Sequence, residues 1–472
     1  LNKKLIQCDF LKSLDKDKYF IYVRGVKKAL ELYRDENIPL ISDMQSEQNK
    51  YGSITSSMTI QFEEKELTLQ QASKFFKETD RSVREKIYHL VQQRRLADKE
   101  KLDLLFDKLI SLRHSISLNA GFSNYRDYKF QELGRFDYTK ENCFEFHDAI
   151  QKEIVPILDS FDKERKIKLK YESLRPWDMD VDTDGLPPLK PFQNGEELLG
   201  KTIECFTKVN PEFADYLFTM KQMQHLDLES RKGKAPGGYN YPLYESKVPF
   251  IFMNAVGTMN DVETMVHEGG HAIHSFLSSH LPSFQIDVPS EVAELASMSM
   301  EFISMEHWDT FLKNPEELKR AKKEQLQSSL KTLTWVATID KFQHWIYTHP
   351  EHTHQERDEM WASIFHTFNG SVVDWSELDA EVKNMWQKQL HLYEVPFYYI
   401  EYAMAQLGAI AMWKSYKNDR EGTISNYKKA LSLGYTKSIP ELYKAAGIAF
   451  DFSQSYVRDL ALFIKKELEQ LQ

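Results

Sequence analysis

From about Leu67 to Leu118, charged residues are interleaved with apolar ones at steps of three and four, as in Leu102, Leu105, Phe106, Leu109 and Ile110. That period predicts long amphipathic helices whose charge-rich face is solvated. Between Arg175 and Gly195 the pattern breaks at Pro176, Pro187, Pro188 and Pro191, predicting a loop between lobes or helix groups. The stretch also holds Asp178, Asp180, Asp182 and Asp184 ahead of Gly185. Read from Asp180 it begins like a calcium loop, but the position that needs a bidentate glutamate is Pro191, so an acidic surface loop is expected.

Between Gly233 and Thr258 the texture turns to glycine, proline, aromatics and a short apolar run from Val248 to Val256, predicting strand and loop. From Asp261 onward the helical period returns, broken by a polar loop around His349, His352 and His354. These histidines have no evident carboxylate partner and read as solvated loop residues. No internal repeat or low-complexity tract occurs.

A chain of 472 residues is long enough for a large bilobal domain or for several lobes. Glycine occupies only 18 positions, which reinforces the helical reading. The formal charge of −10, with no basic run, disfavours nucleic acid and anionic membrane surfaces as partners. Cys8, Cys143 and Cys205 are scattered and form no CxxC pattern, which predicts neither a disulfide framework nor a zinc-cysteine site. A reducing compartment fits, and a cytoplasmic location is expected. No apolar stretch approaches a membrane span, and Leu1 to Phe10 shows no export signal.

The chemistry concentrates in Asp261 to Phe276, which contains His267-Glu268-x-x-His271. On a helix, positions four apart lie about 40° apart around the axis and one turn along it, so both imidazoles can reach one metal. Glu268 sits about 100° round, beside the metal rather than on it. Val262, Met265, Val266, Ile273, Phe276 and Leu277 cluster opposite the histidines, so one face packs while the other points into a cavity. Gly269 and Gly270 each cost about 1 kcal/mol relative to alanine inside a helix. Something must approach closely there.

A hydrolytic zinc site needs a third protein ligand and an open fourth position. Pro289 to Glu301 reads as a helix begun by Pro289 or Ser290 and offers Glu291, Glu294 and Glu301. Spacing does not choose among them. The interleaved Val292, Leu295, Ala296, Met298 and Met300 argue that these carboxylates are at least partly buried. With zinc, water is activated and Glu268 takes its proton, and the resulting oxyanion requires donors. His391 and the tyrosines from Tyr393 to Tyr402 can supply them.

The sequence resembles the thimet oligopeptidase and oligoendopeptidase F group of zinc metallopeptidases, most closely its oligoendopeptidase F or Pz-peptidase branch. The resemblance is carried by His267-Glu-x-Gly-His271-Ala-x-His274, by Glu294-x-x-Ser297-x-x-x-Glu301 and by Phe397-Tyr-Tyr-x-x-Tyr402. Weaker similarity runs from Asp80-Arg81-Ser-Val-Arg-Glu85 through Gly121 to Asp127 and on to Lys437-Ser-x-Pro440. The resemblance implies a mainly α, bilobal zincin with a deep channel and a small β-sheet near the metal. A helical first lobe would span residues 1–190, shortened at its N-terminus, and a catalytic lobe residues 191–472. It further implies one zinc ion per chain on His267, His271 and Glu294, with Glu301 and His274 supporting them, and Glu268 as general base. His391, Tyr398 and Tyr402 are implied as donors to the intermediate, with Tyr399 in reserve or contacting substrate. The stretch Pro236-Gly237-Gly238-Tyr239 and the run Phe250 to Asn254 become the loop and edge strand that hold the substrate backbone. Gly269 departs from the bulkier residue common in the family.

The implied activity is endopeptidase cleavage of short oligopeptides. The alternatives are a metallocarboxypeptidase of similar architecture, which would need a recognition site for the terminal carboxylate, or a peptide-binding scaffold with a dead site.

Overall fold

The computed structural model describes residues 1–471 except 232, 233, 235 and 236. Gly233 and Pro236, singled out in the sequence, thus lie outside the described residues. The chain is mainly helical, 69% helix against 5% strand. No helix among the described residues is long and apolar enough to cross a membrane.

The chain forms two compact units. The first comprises Leu1–Lys27, Pro188–Leu330 and Glu401–Gln472, and the second Lys28–Pro187 and Lys331–Ile400. The crossing between 187 and 188 falls within the proline-rich loop, and further crossings occur at 27/28, 330/331 and 400/401.

In the second unit, the helices Arg81–Ala97 and Lys99–Asn119 carry the pattern read from the sequence. Leu102, Leu105, Phe106, Leu109 and Ile110 are all buried, as the three-and-four spacing requires. The short helix Leu69–Ser73 opens this helical region, two residues after Leu67, and a different structure precedes it from Thr59 to Thr68. There the chain makes a hairpin of β1 (Thr59–Phe62) and β2 (Lys65–Thr68), turned by Glu63 and Glu64 at positive φ. Helix Arg81–Ala97 begins where the Asp80 carboxylate accepts from the Ser82 N–H.

The acidic stretch after Arg175 is not all surface. Asp178 is buried and accepts from Arg84 at 2.9 Å and Arg81 at 2.7 Å, while Asp182 caps its own loop through the Asp184 and Leu186 N–H groups. Arg84 is buried as well, so the ion pair offsets the cost of desolvating both charges. His354 also differs from expectation, since its Nε2 lies 2.6 Å from Asp107 Oδ2.

In the first unit a three-stranded sheet has β3 (Leu226–Glu229) parallel to β5 (Phe250–Ala255), with β4 (Tyr239–Tyr241) antiparallel on the other side of β5. The run Phe250 to Asn254 is therefore the central strand and not the edge. Its alternating burial, with Ile251, Met253 and Ala255 inside, shows one face of the sheet packed on the core and the other more open. The edge is β4.

The helices Met259–Ser278 and Ser290–Met305 pack against each other. Thr258 and Asp261 cap the first reciprocally, and its Val262, Met265, Val266 and Ile273 are buried. The two glycines are explained by close approach. A β-carbon on Gly270 would lie 2.6 Å from Ser297 Cα and 2.7 Å from the Ala296 carbonyl oxygen, and one on Gly269 would lie 2.8 Å from the Phe206 ring. The second helix starts at Ser290 after Pro289, and Glu291 and Glu294 are buried along it.

Candidate active site

Backbone contact at Gly270 holds the two helices close enough for their side chains to meet. His267 Nε2 is 3.3 Å and His271 Nε2 3.7 Å from Glu294 Oε2, and the ligating atoms of the three residues lie within 4.8 Å of one another. Glu291, on the same helix, is not part of this group, and its carbonyl instead accepts from Tyr443 Oη at 2.9 Å.

His267 Nδ1 sits 2.6 Å from Glu301 Oε1, and the other Glu301 oxygen accepts from Gln325 Nε2 at 2.9 Å. A carboxylate only accepts, so Nδ1 carries a proton toward Glu301, and Nε2 is the ring atom that faces Glu294. Ser297 Oγ donates to Glu294 Oε2 at 3.1 Å, steadying that carboxylate. Glu301 was legible as a supporting residue. Gln325 was not, because it lies on a helix with no local link to the motif. His274, the other expected support, is buried, with Nε2 unpartnered and its pKa lowered to about 3 by burial, and lies outside the group.

Electrostatics separate the four groups. Burial raises Glu268 to about 7. Burial lowers His271 to about 4. Burial also works against ionisation of Glu294, yet the two imidazoles and Ser297 hold it at about 2. For His267, burial is outweighed by the two carboxylates, and the ring is pushed well above its ordinary value. A strong pull on a proton at Nε2 is equally a strong pull on a cation, for the two compete for one lone pair.

The donor set tests the metal directly. Two imidazole nitrogens and a carboxylate oxygen converge, and each can offer a lone pair to a cation that displaces the proton held among them. Two imidazole nitrogens and one carboxylate suit zinc with a fourth position left open. Both imidazoles keep about a fifth of their surface exposed, at 22% and 20%, so the cluster is reachable by a ligand.

Glu268 is 5% exposed and its Oε2 has no protein partner. The Asn240 backbone N–H favours its charged form against burial, which places the edge strand β4 beside the motif helix. Gly238 explains how the chain comes so near. A β-carbon there would stand 3.2 Å from Thr264 Cγ2 and 3.8 Å from Glu268 Oε1. Asn254 Nδ2 donates to the Gly237 carbonyl at 2.9 Å, bracing the same loop from β5. Tyr239 is half exposed and stacks on Phe252, with ring centroids 4.9 Å apart.

The segment from His391 onward divides between the units at Ile400. Within the second unit, His391 Nδ1 is 2.6 Å from Gln389 Nε2, and its ring stands against Tyr399 at 4.6 Å and Tyr398 at 6.1 Å. Phe397 adopts a φ of 66°, held by Gln343 Oε1 on its N–H and by Arg135 on its carbonyl. Such a conformation costs on the order of 1–3 kcal/mol in a residue other than glycine. Tyr402 belongs to the first unit, on the helix Ile400–Asn418.

A family profile described as Peptidase family M3 matches residues 75–462. Oligopeptidase PepF of Bacillus subtilis is 23% identical over 280 residues, covering 58% of this chain and 42% of that protein. An oligoendopeptidase F homolog of Borreliella burgdorferi is 23% identical over 442 residues, covering 89% and 72%. The chromosomal oligoendopeptidase F of Lactococcus lactis subsp. cremoris is 24% identical over 323 residues, covering 67% of this chain and 52% of that one. The chain thus spans about half the length of two of these three relatives. Among solved structures, Pz peptidase A with an inhibitor superposes with a TM-score of 0.92 at 27% identity, covering 99% of this chain and 83% of that one. Oligoendopeptidase F from Enterococcus faecium, at 17% identity and a TM-score of 0.70, shares the fold, covering 100% and 82%.

Proposed function

The chain belongs to peptidase family M3, and on that premise we propose that it is a zinc metallo-endopeptidase cleaving internal bonds of short oligopeptides. The observation that carries the reading is the convergence of His267 Nε2, His271 Nε2 and Glu294 Oε2 beside the unpartnered Glu268 Oε2. His267, His271 and Glu294 would hold one zinc ion per chain. When bound, zinc acidifies water and polarises the scissile carbonyl. Glu268 Oε2 takes the proton of the attacking water and returns it to the leaving amine. Glu301 keeps the His267 proton on Nδ1, so that Nε2 stays available.

The peptide backbone pairs with the free edge of β4, adding a strand to the sheet along Gly237, Gly238 and Tyr239. Asn254 contributes by bracing that loop, and Tyr399 is a further substrate contact. His391, Tyr398 and Tyr402 donate to the oxyanion, a role supported by family resemblance. The site serves peptides in a reducing, cytoplasmic setting.

Glu268→Gln tests the mechanism. It should retain zinc while kcat on a short peptide falls by about 10²–10⁴-fold, the usual worth of a general base. A variant with full zinc and full rate would remove Glu268 from the reaction. Products from a peptide blocked at both ends decide between endopeptidase and carboxypeptidase, since only the former cuts it.

A further inference from the structure

The second unit contains another convergence of ligating side chains. Cys143 and His147 lie four apart on the helix Lys140–Glu153, and Asp340 and His344 four apart on Pro315–Thr348. Each pair therefore projects from one face, and the two faces meet. The ligating atoms of Cys143, Asp340 and His344 lie within 4.8 Å of one another. Cys143 and Asp340 are 0% exposed, His147 1% and His344 4%.

The hydrogen bonding within the cluster is lopsided. His147 Nε2 sits 2.8 Å from Asp340 Oδ2. His344 Nε2 lies 3.3 Å from the same oxygen without forming a hydrogen bond, while His344 Nδ1 and Asp340 Oδ1 have no partner at all. A network built only for hydrogen bonding would spread two imidazole donors over both carboxylate oxygens. Phe144, Phe397 and Phe130 rings stand 4.9, 5.4 and 5.8 Å from His344, so the surroundings are apolar and leave the orphaned groups costly. The 3.3 Å separation between imidazole nitrogen and carboxylate oxygen repeats that of His267 and Glu294.

We propose that Cys143 Sγ, Asp340 and His344 bind a divalent cation of the zinc class, with His147 positioning Asp340 by its hydrogen bond. Thiolate, imidazole and carboxylate together select zinc or cobalt over magnesium or calcium, which take oxygen ligands. The thiolate and carboxylate balance both charges of the cation inside an apolar shell, and the thiol proton is released on binding. Closed off from solvent, the site ties two helices distant in sequence and has no catalytic part. It departs from the expectation of no zinc-cysteine site and raises the metal content above the one zinc of the motif site.

The test uses the whole chain, stripped with chelator and reloaded with cobalt, with metal content measured alongside near-ultraviolet absorption. The motif site contains no sulfur, so a sulfur-to-cobalt charge-transfer band reports the second site alone. Expected are a second metal equivalent and this band. Cys143→Ser should lose both, while His271→Ala should lose peptide cleavage and keep the band. A folded wild-type protein with a single metal equivalent and no sulfur band overturns the proposal, whether or not any variant folds, and leaves the peptidase reading standing.

Discussion

Gly270→Ala tests whether backbone contact between the two ligand-bearing helices builds the site. The added β-carbon meets Ser297 Cα at 2.6 Å and the Ala296 carbonyl oxygen at 2.7 Å, where ordinary contact begins near 3.4 Å. The backbones must part by about 0.8 Å to restore contact distance, and neither obstacle can turn aside as a side chain would. Overpacking of this kind costs ~1–3 kcal/mol, and an obstacle made of backbone belongs at the upper end. Alanine returns about 1 kcal/mol of helix propensity, leaving a net loss of about 1–2 kcal/mol. Metal geometry suffers separately. Ligand distances tolerate deviations of about 0.2 Å, so a displacement several times larger should weaken zinc binding at least about tenfold, or ~1.4 kcal/mol. Gly269→Ala is the internal control, because its β-carbon meets the Phe206 ring, a side chain that can rotate. Urea midpoints in chelator measure the packing loss, and competitive zinc titration measures the metal loss. The reasoning is refuted if Gly270→Ala matches wild type in both, or if Gly269→Ala is the more damaged variant.

Glu301→Gln keeps the shape but lowers the pull on the His267 Nδ1 proton, and zinc affinity should fall about 10–100-fold by the same titration. Unchanged affinity would mean Glu301 orients nothing. Asp178→Ala leaves the buried Arg84 guanidinium without its carboxylate and should cost about 3–5 kcal/mol in chemical unfolding, whereas a loss below ~1 kcal/mol would reduce the pair to a surface contact. Asp162→Asn should stabilise at pH 7. Burial raises the folded Asp162 pKa above 3.8, against the partial opposition of Lys331 and Arg165. A raised folded pKa gives stability that is full below the unfolded value and lost as pH rises through the folded one. The advantage of asparagine should therefore shrink as pH falls toward about 4, and an advantage that grew on acidification would reverse the assignment.

The helical class, the Lys99–Asn119 stripe and the motif helix were readable because each rests on local periodicity. Leu102 to Ile110 needs only the three-and-four spacing to declare its buried face. The choice of Glu294 over Glu291 was not available from spacing, since either could reach the histidines. It depends on the rotation of one helix against the other, which the Gly270 contact sets. The hairpin at Glu63 and Glu64 escaped because its turn uses two glutamates at positive φ, where asparagine or glycine is the usual signal. The edge and central strands were interchanged for a similar reason. Phe250 to Ala255 is the longer and more apolar run, but strand order is set by pairing partners whose short sequences, such as Tyr239–Tyr241, carry little signal.

The two side-chain clusters show why one was legible and the other was not. Both begin from residues four apart on a helix. His267-Glu268-x-x-His271 places the proposed ligands and base in one reading frame, so that chemistry is announced within five residues. Cys143 with His147, and Asp340 with His344, are each commonplace spacings, nearly two hundred residues apart in sequence. Neither pair implies a ligand alone, and only the packing of the helices Lys140–Glu153 and Pro315–Thr348 makes them one group. Counting cysteine spacings detects zinc sites whose ligands come from a single knuckle of chain. A site assembled from two helix faces leaves no such trace, so scattered cysteines are weak grounds for excluding sulfur ligation in a helical protein.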